Sequence, residues 1–403
     1  MTNLTPEFRC PICKQPRSTV DELLAYQCGQ CTSELIFTPR LKEPCAGVSL
    51  ERGGPWRYSP LLPCNYDARL DNKASIESVR SPLLEQELDV GQVWLVDCSA
   101  LATGTFKDLE AAVVVAMAAQ LNLERIAVHS TGNTALAYRH FAMQVDLPCA
   151  CYIPARNFDR KVRGLEANPR YPIFAVDAPY SRVSAIAKSH SVALGYWHLA
   201  PLAWKLEGKA ALAYHIAEYC PGVDTIAQTI AGGYGPLGYE VGFRRLKEVG
   251  LGRRSVPASR RYVLFQPEDA ATLARVWTTA ETVALEPNDL MLPDDPYEPT
   301  LQSTNPLATL PRLRATLPAG SEILSVPLRA IKACENVIEQ VLEEAHIALD
   351  ISRERSTLIA LAGLIEQARS GGGVIADRLA VIVSGAAGFE STSRTTPTAT
   401  ISS

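Results

Sequence analysis

At 403 residues, 47% hydrophobic and 20% charged, the chain has the make-up of an ordinary soluble globular protein and fits roughly two to three domains. A net charge of -4 excludes a polyanion-binding or electrostatically membrane-anchored class, so neither nucleic acid nor a membrane is an expected partner. The longest apolar run, 111–121, is shorter than the ~20 residues a bilayer crossing takes. The first residues, Met-Thr-Asn-Leu-Thr-Pro-Glu, lack the basic and apolar regions of a signal peptide. A cytoplasmic location with reduced thiols is expected.

Residues 1–40 are polar and turn-rich. Cys10-Pro-Ile-Cys13 and Cys28-Gly-Gln-Cys31 are two CxxC pairs with fourteen residues between them. Two turns that each present a pair of thiolates complete a tetrahedral S4 site, which predicts a zinc ribbon. Four thiolates leave no open position, so the zinc would be structural. Redox or free thiols in chance proximity are the alternative. The other seven cysteines, Cys45, Cys64, Cys98, Cys149, Cys151, Cys220 and Cys334, are scattered and expected to be packed or inert.

Residues 41–92, rich in Pro and Gly, read as an irregular linker with short elements. From Val93 the pattern changes: strands at 93–96, 125–129, 150–153 and 173–176 alternate with helices over 108–121, 133–144 and 181–189. A helix over 206–220, a strand over 225–230 and a helix over 239–249 follow. Residues 251–320 read as loops around short elements. Amphipathic helices over 328–345 and 356–369 and a strand at 379–383 close the core. The alternation implies an α/β protein with largely parallel sheets. Residues 391–403, mostly Ser and Thr, read as a disordered tail.

Three strand-to-helix junctions carry chemistry. Thr103-Gly104-Thr105-Phe106-Lys107-Asp108 puts a lysine at a helix start; desolvation there favours the neutral amine, competent for a Schiff base with an aldehyde cofactor. A solvated helix-end lysine is the plainer alternative. Ser130-Thr131-Gly132-Asn133-Thr134 gathers hydroxyls, an amide and first-turn N–H groups, a place for a carboxylate or phosphate or simply a helix cap. Ala231-Gly232-Gly233-Tyr234-Gly235-Pro236-Leu237-Gly238 is a glycine-rich loop able to approach a phosphate, without the GxGxxG spacing of a dinucleotide site. The histidines 129, 140, 190, 198, 215 and 346 show no metal spacing and read as structural or surface residues.

The order of these segments resembles fold-type II (tryptophan synthase β-like) pyridoxal-phosphate (PLP) enzymes, threonine synthases most closely. Thr103 to Asp108 is similar to that family's TGSFKD segment, Ser130 to Thr134 to its S-[ST]-G-N-T loop, and Gly232 to Gly235 to its phosphate cradle, followed by Gly242-Phe243. Glu207-Gly208-Lys209 resembles its EGQK helix start, Trp56-Arg57-Tyr58 its WRY signature, and Val381 to Gly385 its VVVxTG strand. A paired-CxxC ribbon also occurs in threonine synthase-like chains. The resemblance spans about residues 8–390.

The resemblance implies two α/β domains with the cofactor between them: a ribbon (1–40), a large domain (41–120 and 225–390) enclosing a small one (121–224), and the tail (391–403). Lys107 would hold PLP and shuttle the substrate's α-proton. Asn133 would bond the cofactor's phenolic oxygen, Gly232, Gly233, Tyr234 and Gly235 its phosphate, and Ser384 its pyridine nitrogen. Ser130, Thr131 and Thr134 would grip the substrate carboxylate, while Cys10, Cys13, Cys28 and Cys31 hold zinc. A phosphorylated amino-acid substrate and a homodimer are implied, with Arg156, Arg160 and Lys161 as candidate anchors for a substrate phosphate. Departures surround the cofactor: Leu101-Ala102 replaces Asn-Pro, Cys98 an acidic residue, Leu109 an arginine, and Gly233 and Pro236 the cradle asparagines. The expected reaction is phosphate elimination from O-phosphohomoserine with water addition. β-Replacement on O-phosphoserine or another activated serine, as in cysteate synthases, and a silent paralogue acting through its ribbon are the alternatives.

Overall fold

The computed structural model describes residues 8–37, 39, 49, 51–71, 73–162, 165–178, 180–199, 203–250, 260–277, 296–301, 309–351, 353, 355–371, 377–385 and 397–402. The N-terminal unit holds β1 (Phe8–Arg9), β2 (Pro16–Arg17), α1 (Val20–Ala25) and β3 (Ile36–Phe37), its strands ordered β2-β1-β3. A 3-10 helix (Gly54–Leu61), β4 (Glu77–Arg80), α2 (Pro82–Leu88), β5 (Gln92–Asp97) and α3 (Lys107–Gln120) come next. They are followed by β6 (Ile126–His129), α4 (Asn133–Gln144), β7 (Cys149–Pro154), α5 (Ala155–Lys161), β8 (Ile173–Asp177), α6 (Tyr180–Ala193) and β9 (Trp197–His198). The chain continues through α7 (Trp204–Tyr219), β10 (Thr225–Thr229), α8 (Tyr234–Glu248), β11 (Arg261–Pro267), α9 (Thr272–Trp277), α10 (Leu310–Thr316) and β12 (Glu322–Val326). It closes with α11 (Leu328–Glu344), α12 (Ser356–Arg369), β13 (Arg378–Val383) and β14 (Ala399–Ser402).

Two sheets organise these elements. A six-stranded sheet runs β12-β11-β10-β13-β5-β4, parallel except for the edge strand β4, and a five-stranded parallel sheet runs β14-β8-β7-β6-β9. Central strands covered on both faces must be apolar throughout, and β13 is buried from Leu379 to Val383 for that reason. The helix α3 is buried from Asp108 to Ala118, with small side chains that let neighbours approach. The helix α7 takes this further. A Cβ on Gly208 would lie 2.4 Å from the Leu109 carbonyl oxygen, so only glycine permits the crossing with α3. In contrast α11 buries only one stripe (Ala330, Ile331, Cys334, Ile338, Val341, Leu342), the spacing of a surface helix.

Residues 251–320, expected as loops around short elements, hold the short buried strand β11 and the short helices α9 and α10, and β12 follows at once; 251–259, 278–295 and 302–308 lie outside the described residues. The sequence reading needs correction in two places. The helix expected from 239 starts at Tyr234, inside the glycine-rich segment. The expected disordered tail holds β14, whose residues pair with Phe174–Asp177 of β8; 391–396 and 403 lie outside the described residues. No helix among the described residues is long and apolar enough to cross a membrane.

Candidate active site

The lysine corner begins where β5 ends at Asp97 and the chain turns into α3. Asp108, wholly buried, ties the turn: its carboxylate accepts from the Thr103 N–H at 2.7 Å and from the Thr103 hydroxyl. Burial pushes this carboxyl up to about 7, against the Thr103 hydrogen bonds and the charge of Arg353, which pull it down. Backbone contacts fasten the corner to the end of β13, where Phe106 N donates to Ser384 O at 3.0 Å and Thr105 bridges Gly385. Gly385 sits at φ +126, and a Cβ there would meet the Gly104 carbonyl at 2.4 Å. Lys107 and Ser384, 277 positions apart (384 − 107), are thereby brought to one corner.

Lys107 is half-buried, with Nζ 3.8 Å from the ring centroid of Phe106. Lys209 shares that ring at 5.3 Å and forms a buried ion pair with Glu110. Burial first, and then the charge of Lys107, lower the Lys209 pKa well below its ordinary value. The cofactor-lysine candidate therefore lies on an apolar wall beside a second amine.

In the 130–134 turn, Ser130 Oγ accepts the N–H groups of Gly132 and Ala135, both at 3.0 Å, and so acts as a helix cap. Thr131 donates to Thr300 O at 3.4 Å, and its carbonyl accepts from Asn157 at 3.1 Å. Asn133 is buried at the head of α4, and Thr134 is half-buried. Gly132, at φ +147, leaves room for the stem of Lys161, whose Cβ would be 2.7 Å from a Cβ added there. Lys161 donates to the Arg353 carbonyl, and Arg353 donates to Thr103 O at 3.1 Å. A continuous route thus joins the turn at the end of β6 to the lysine corner at the end of β5.

This route removes two expected phosphate anchors. Lys161 is fully buried against Glu298 at 3.7 Å, and Arg160 pairs with Glu298 at 3.0 Å, so both charges are used within the protein. Arg156 is exposed. Glu298 and Arg353 went unnoticed in the sequence because no motif surrounds them; Asp108, next to Lys107, was legible.

At the third junction the N-cap of α8 is Gly233, at φ +79, and no side chain caps the helix. A Cβ at 233 would lie 2.7 Å from Leu313. Pro236 falls in the first turn, where its missing N–H breaks no helical bond, leaving Tyr234 and Gly235 as donors there. A bare helix N-terminus behind a glycine fits a phosphate. Thr229 donates to Ser356 O at 2.6 Å and Thr357 to Gly385 O at 3.2 Å, tying the end of β10 to the end of β13. Lys107, Ser384 and the glycine segment all follow the carboxyl ends of the adjacent strands β5, β13 and β10, the edge where open α/β sheets bind ligands.

The Sγ atoms of Cys10, Cys13, Cys28 and Cys31 all lie within 4.8 Å of one another. Cys13 and Cys28 are 3.9 Å apart, close to the edge of about 3.8 Å that four Zn–S bonds of ~2.3 Å impose on a tetrahedron. Cys64, Cys98, Cys149, Cys151, Cys220 and Cys334 are buried free thiols, and Cys45 lies outside the described residues. The cysteine unit is docked on α7 and α8: Tyr26 donates to Glu207 at 2.9 Å, Glu207 pairs with Arg245 at 2.6 Å, and Arg245 lies 4.9 Å from the Phe37 ring. Arg57 and Tyr58 of the Trp-Arg-Tyr signature converge on Glu218.

Sheet order, strand-edge lysine and bare glycine N-terminus together define the α/β architecture of fold-type II PLP-dependent enzymes. Residues 75–385 match the family described as pyridoxal-phosphate dependent enzyme, and the chain belongs to it. A threonine synthase from Methanocaldococcus jannaschii is 24% identical over 150 residues, 36% of this chain and 37% of that protein. One from Methanosarcina acetivorans is 25% identical over 145 residues, 34% of each chain. The chain thus matches about a third of the length of these curated relatives. Among solved structures, maize serine racemase aligns with a TM-score of 0.57 at 19% identity, covering 77% of this chain and 87% of that one. Diaminopropionate ammonia lyase from Escherichia coli aligns at 0.59 and 14% identity, covering 77% and 83%. These likenesses establish the fold.

Proposed function

We propose that this chain is a PLP-dependent lyase of the threonine synthase type, releasing phosphate from O-phosphohomoserine and adding water to give threonine. The observation that carries the proposal is Lys107, half-buried on the ring of Phe106, whose N–H donates to Ser384 O at the same strand edge as the bare N-terminus of α8. The local similarity to two archaeal threonine synthases supports the choice of substrate.

In this reading the Lys107 amine holds the cofactor, and the N–H groups of Gly232, Gly233, Tyr234 and Gly235 receive its phosphate. Asn133 would bond the cofactor's phenolic oxygen, and Ser384 would offer its ring nitrogen a neutral hydroxyl. PLP, when bound, supplies the electron sink for carbanion chemistry. Ser130, Thr131 and Thr134, with the head of α4, orient the substrate carboxylate, and the amine of Lys107 moves the α-proton. The proposal includes structural zinc on Cys10, Cys13, Cys28 and Cys31 and a cytoplasmic homodimer. It also includes the division into ribbon (1–40), large domain (41–120 and 225–390) and small domain (121–224).

The test is phosphate release over a panel of phosphorylated and acetylated amino acids, with borohydride labelling of Lys107. Phosphate and threonine from O-phosphohomoserine are expected. Release from O-phosphoserine alone would replace the reaction by β-replacement. A protein that stays colourless with PLP and takes no label at Lys107 would leave the silent paralogue.

A further inference from the structure

The segment after β10 has to present its N–H groups in one direction to hold an anion. Two successive glycines, Gly232 and Gly233, leave its backbone the widest choice of conformations, and no side chain caps the helix behind it. Its peptide planes must be set from outside.

The neighbouring strand does this. Gln266, on β11, is fully buried and uses both ends of its carboxamide. Its Oε1 accepts from Leu273 N at 2.8 Å and from Ala274 N at 3.0 Å, two donors at the head of α9 that the helix itself cannot satisfy. Its Nε2 donates to Ala231 O at 3.3 Å. The partners fix which end is which: two N–H groups require the oxygen, and a carbonyl requires the NH2. The β10–β11 ladder reaches the start of the segment through Ile230 N, which donates to Phe265 O at 2.9 Å. Beyond that point the Gln266 carboxamide takes over.

The consequence is directional. Across a trans peptide bond the C=O and N–H point opposite ways. With Ala231 O turned to Gln266 on the β11 side, the Gly232 N–H points away from β11. The strand order β11-β10-β13-β5 puts Ser384, after β13, and Lys107, after β5, on that opposite side. A reversed 231–232 peptide would put a carbonyl oxygen there instead, and an oxygen lone pair repels a phosphate.

We propose that Gln266 is a positioning residue: by holding the Ala231 carbonyl it turns the Gly232 N–H toward the cofactor phosphate, and it ties the head of α9 to the same loop. This rests on the PLP reading above and adds to it a residue from the strand beside the cradle.

The test is PLP affinity at pH 8, from the visible absorbance of the bound cofactor, together with the phosphorus resonance of its phosphate. Wild type, Gln266→Glu and Gln266→Met are compared. The glutamate keeps oxygens for the two α9 N–H groups, which favour its ionised form, but has no proton for Ala231 O. A residue that only capped α9 would tolerate that change. The positioning role instead predicts that folded Q266E binds PLP about tenfold or more weakly, with a shifted phosphorus resonance. Q266M, which loses the donor without adding charge, should weaken PLP about three- to tenfold and shift the resonance too. Wild-type affinity or an unmoved resonance in a folded variant would overturn the role. Should Q266E fail to fold, Q266M decides by the same two readouts. A wild type that takes up no PLP sinks the PLP reading and this role with it, a result distinct from variants that bind PLP as the wild type does.

Discussion

Gly208→Ala tests whether the α3–α7 crossing positions Lys107. The added Cβ would lie 2.4 Å from Leu109 O and 2.5 Å from Glu110 Cα, both backbone atoms of α3. Ordinary carbon contacts begin near ~3.5 Å, so the helices must part by about 1 Å. Overpacking of this kind costs about 1–3 kcal/mol, here near the top of the range because no side chain can swing away. Alanine in a helix returns about 1 kcal/mol, leaving a net loss of roughly 1–2 kcal/mol. Lys107 heads α3 two residues before Leu109, and a misplacement of about 1 Å can cost a hundredfold in rate. We expect G208A to unfold at slightly lower urea, to bind PLP, and to turn over about a hundredfold slower. Gly195→Ala is the control: φ is +77 with no atom within 4 Å, so it should lose about 1 kcal/mol and no activity. The reasoning is refuted if G208A keeps wild-type turnover, or if its loss merely tracks the unfolded fraction.

Asp108 makes the protein pH-sensitive. Its folded carboxyl, at about 7, lies above its unfolded value, so its stabilisation is full below the unfolded pKa and is lost as pH rises through about 7. Between pH 5 and pH 8 this amounts to about 2–3 kcal/mol, and Asp108→Asn should flatten that slope in urea titrations. Glu298→Gln removes the carboxylate that pairs with fully buried Lys161 and half-buried Arg160 and should cost about 3–5 kcal/mol in chemical denaturation, with no gain of activity. Cys28→Ser should reduce the metal content, measured by elemental analysis, from about one zinc per chain to near none, and expose the ribbon to trypsin.

The cysteine unit is more than an appendage. Phe8, Leu23, Tyr26 and Phe37 belong to the same apolar cluster as α3 and α7, and Tyr26 contacts the Glu207–Arg245 pair directly. A disturbance of the cysteine site would therefore reach the helix that carries Gly208 and Lys209.

What the sequence determined by itself is local. The helices α4 and α12 have the boundaries read from the sequence. Yet the N-cap of α12, Arg355, makes no side-chain cap, and the helix is buried from Ser356 to Ile365 rather than along the one stripe expected of an amphipathic helix. The S4 cluster was legible because two short turns set its spacing. The strand β11 was not, since a short apolar run flanked by arginines and prolines resembles a buried loop until β10 and β12 pair with it. The Ser- and Thr-rich β14 has no pattern of its own and is a strand only because the edge of β8 offers it hydrogen bonds. Likewise the route from Gly132 through Lys161 and Arg353 to Thr103 joins segments as much as 250 positions apart. Only the tertiary structure could decide that two of the expected substrate anchors, Arg160 and Lys161, are internal struts. Propensity and capping act between neighbours in the chain, whereas strand pairing and buried ion pairs depend on which distant segments the fold brings together.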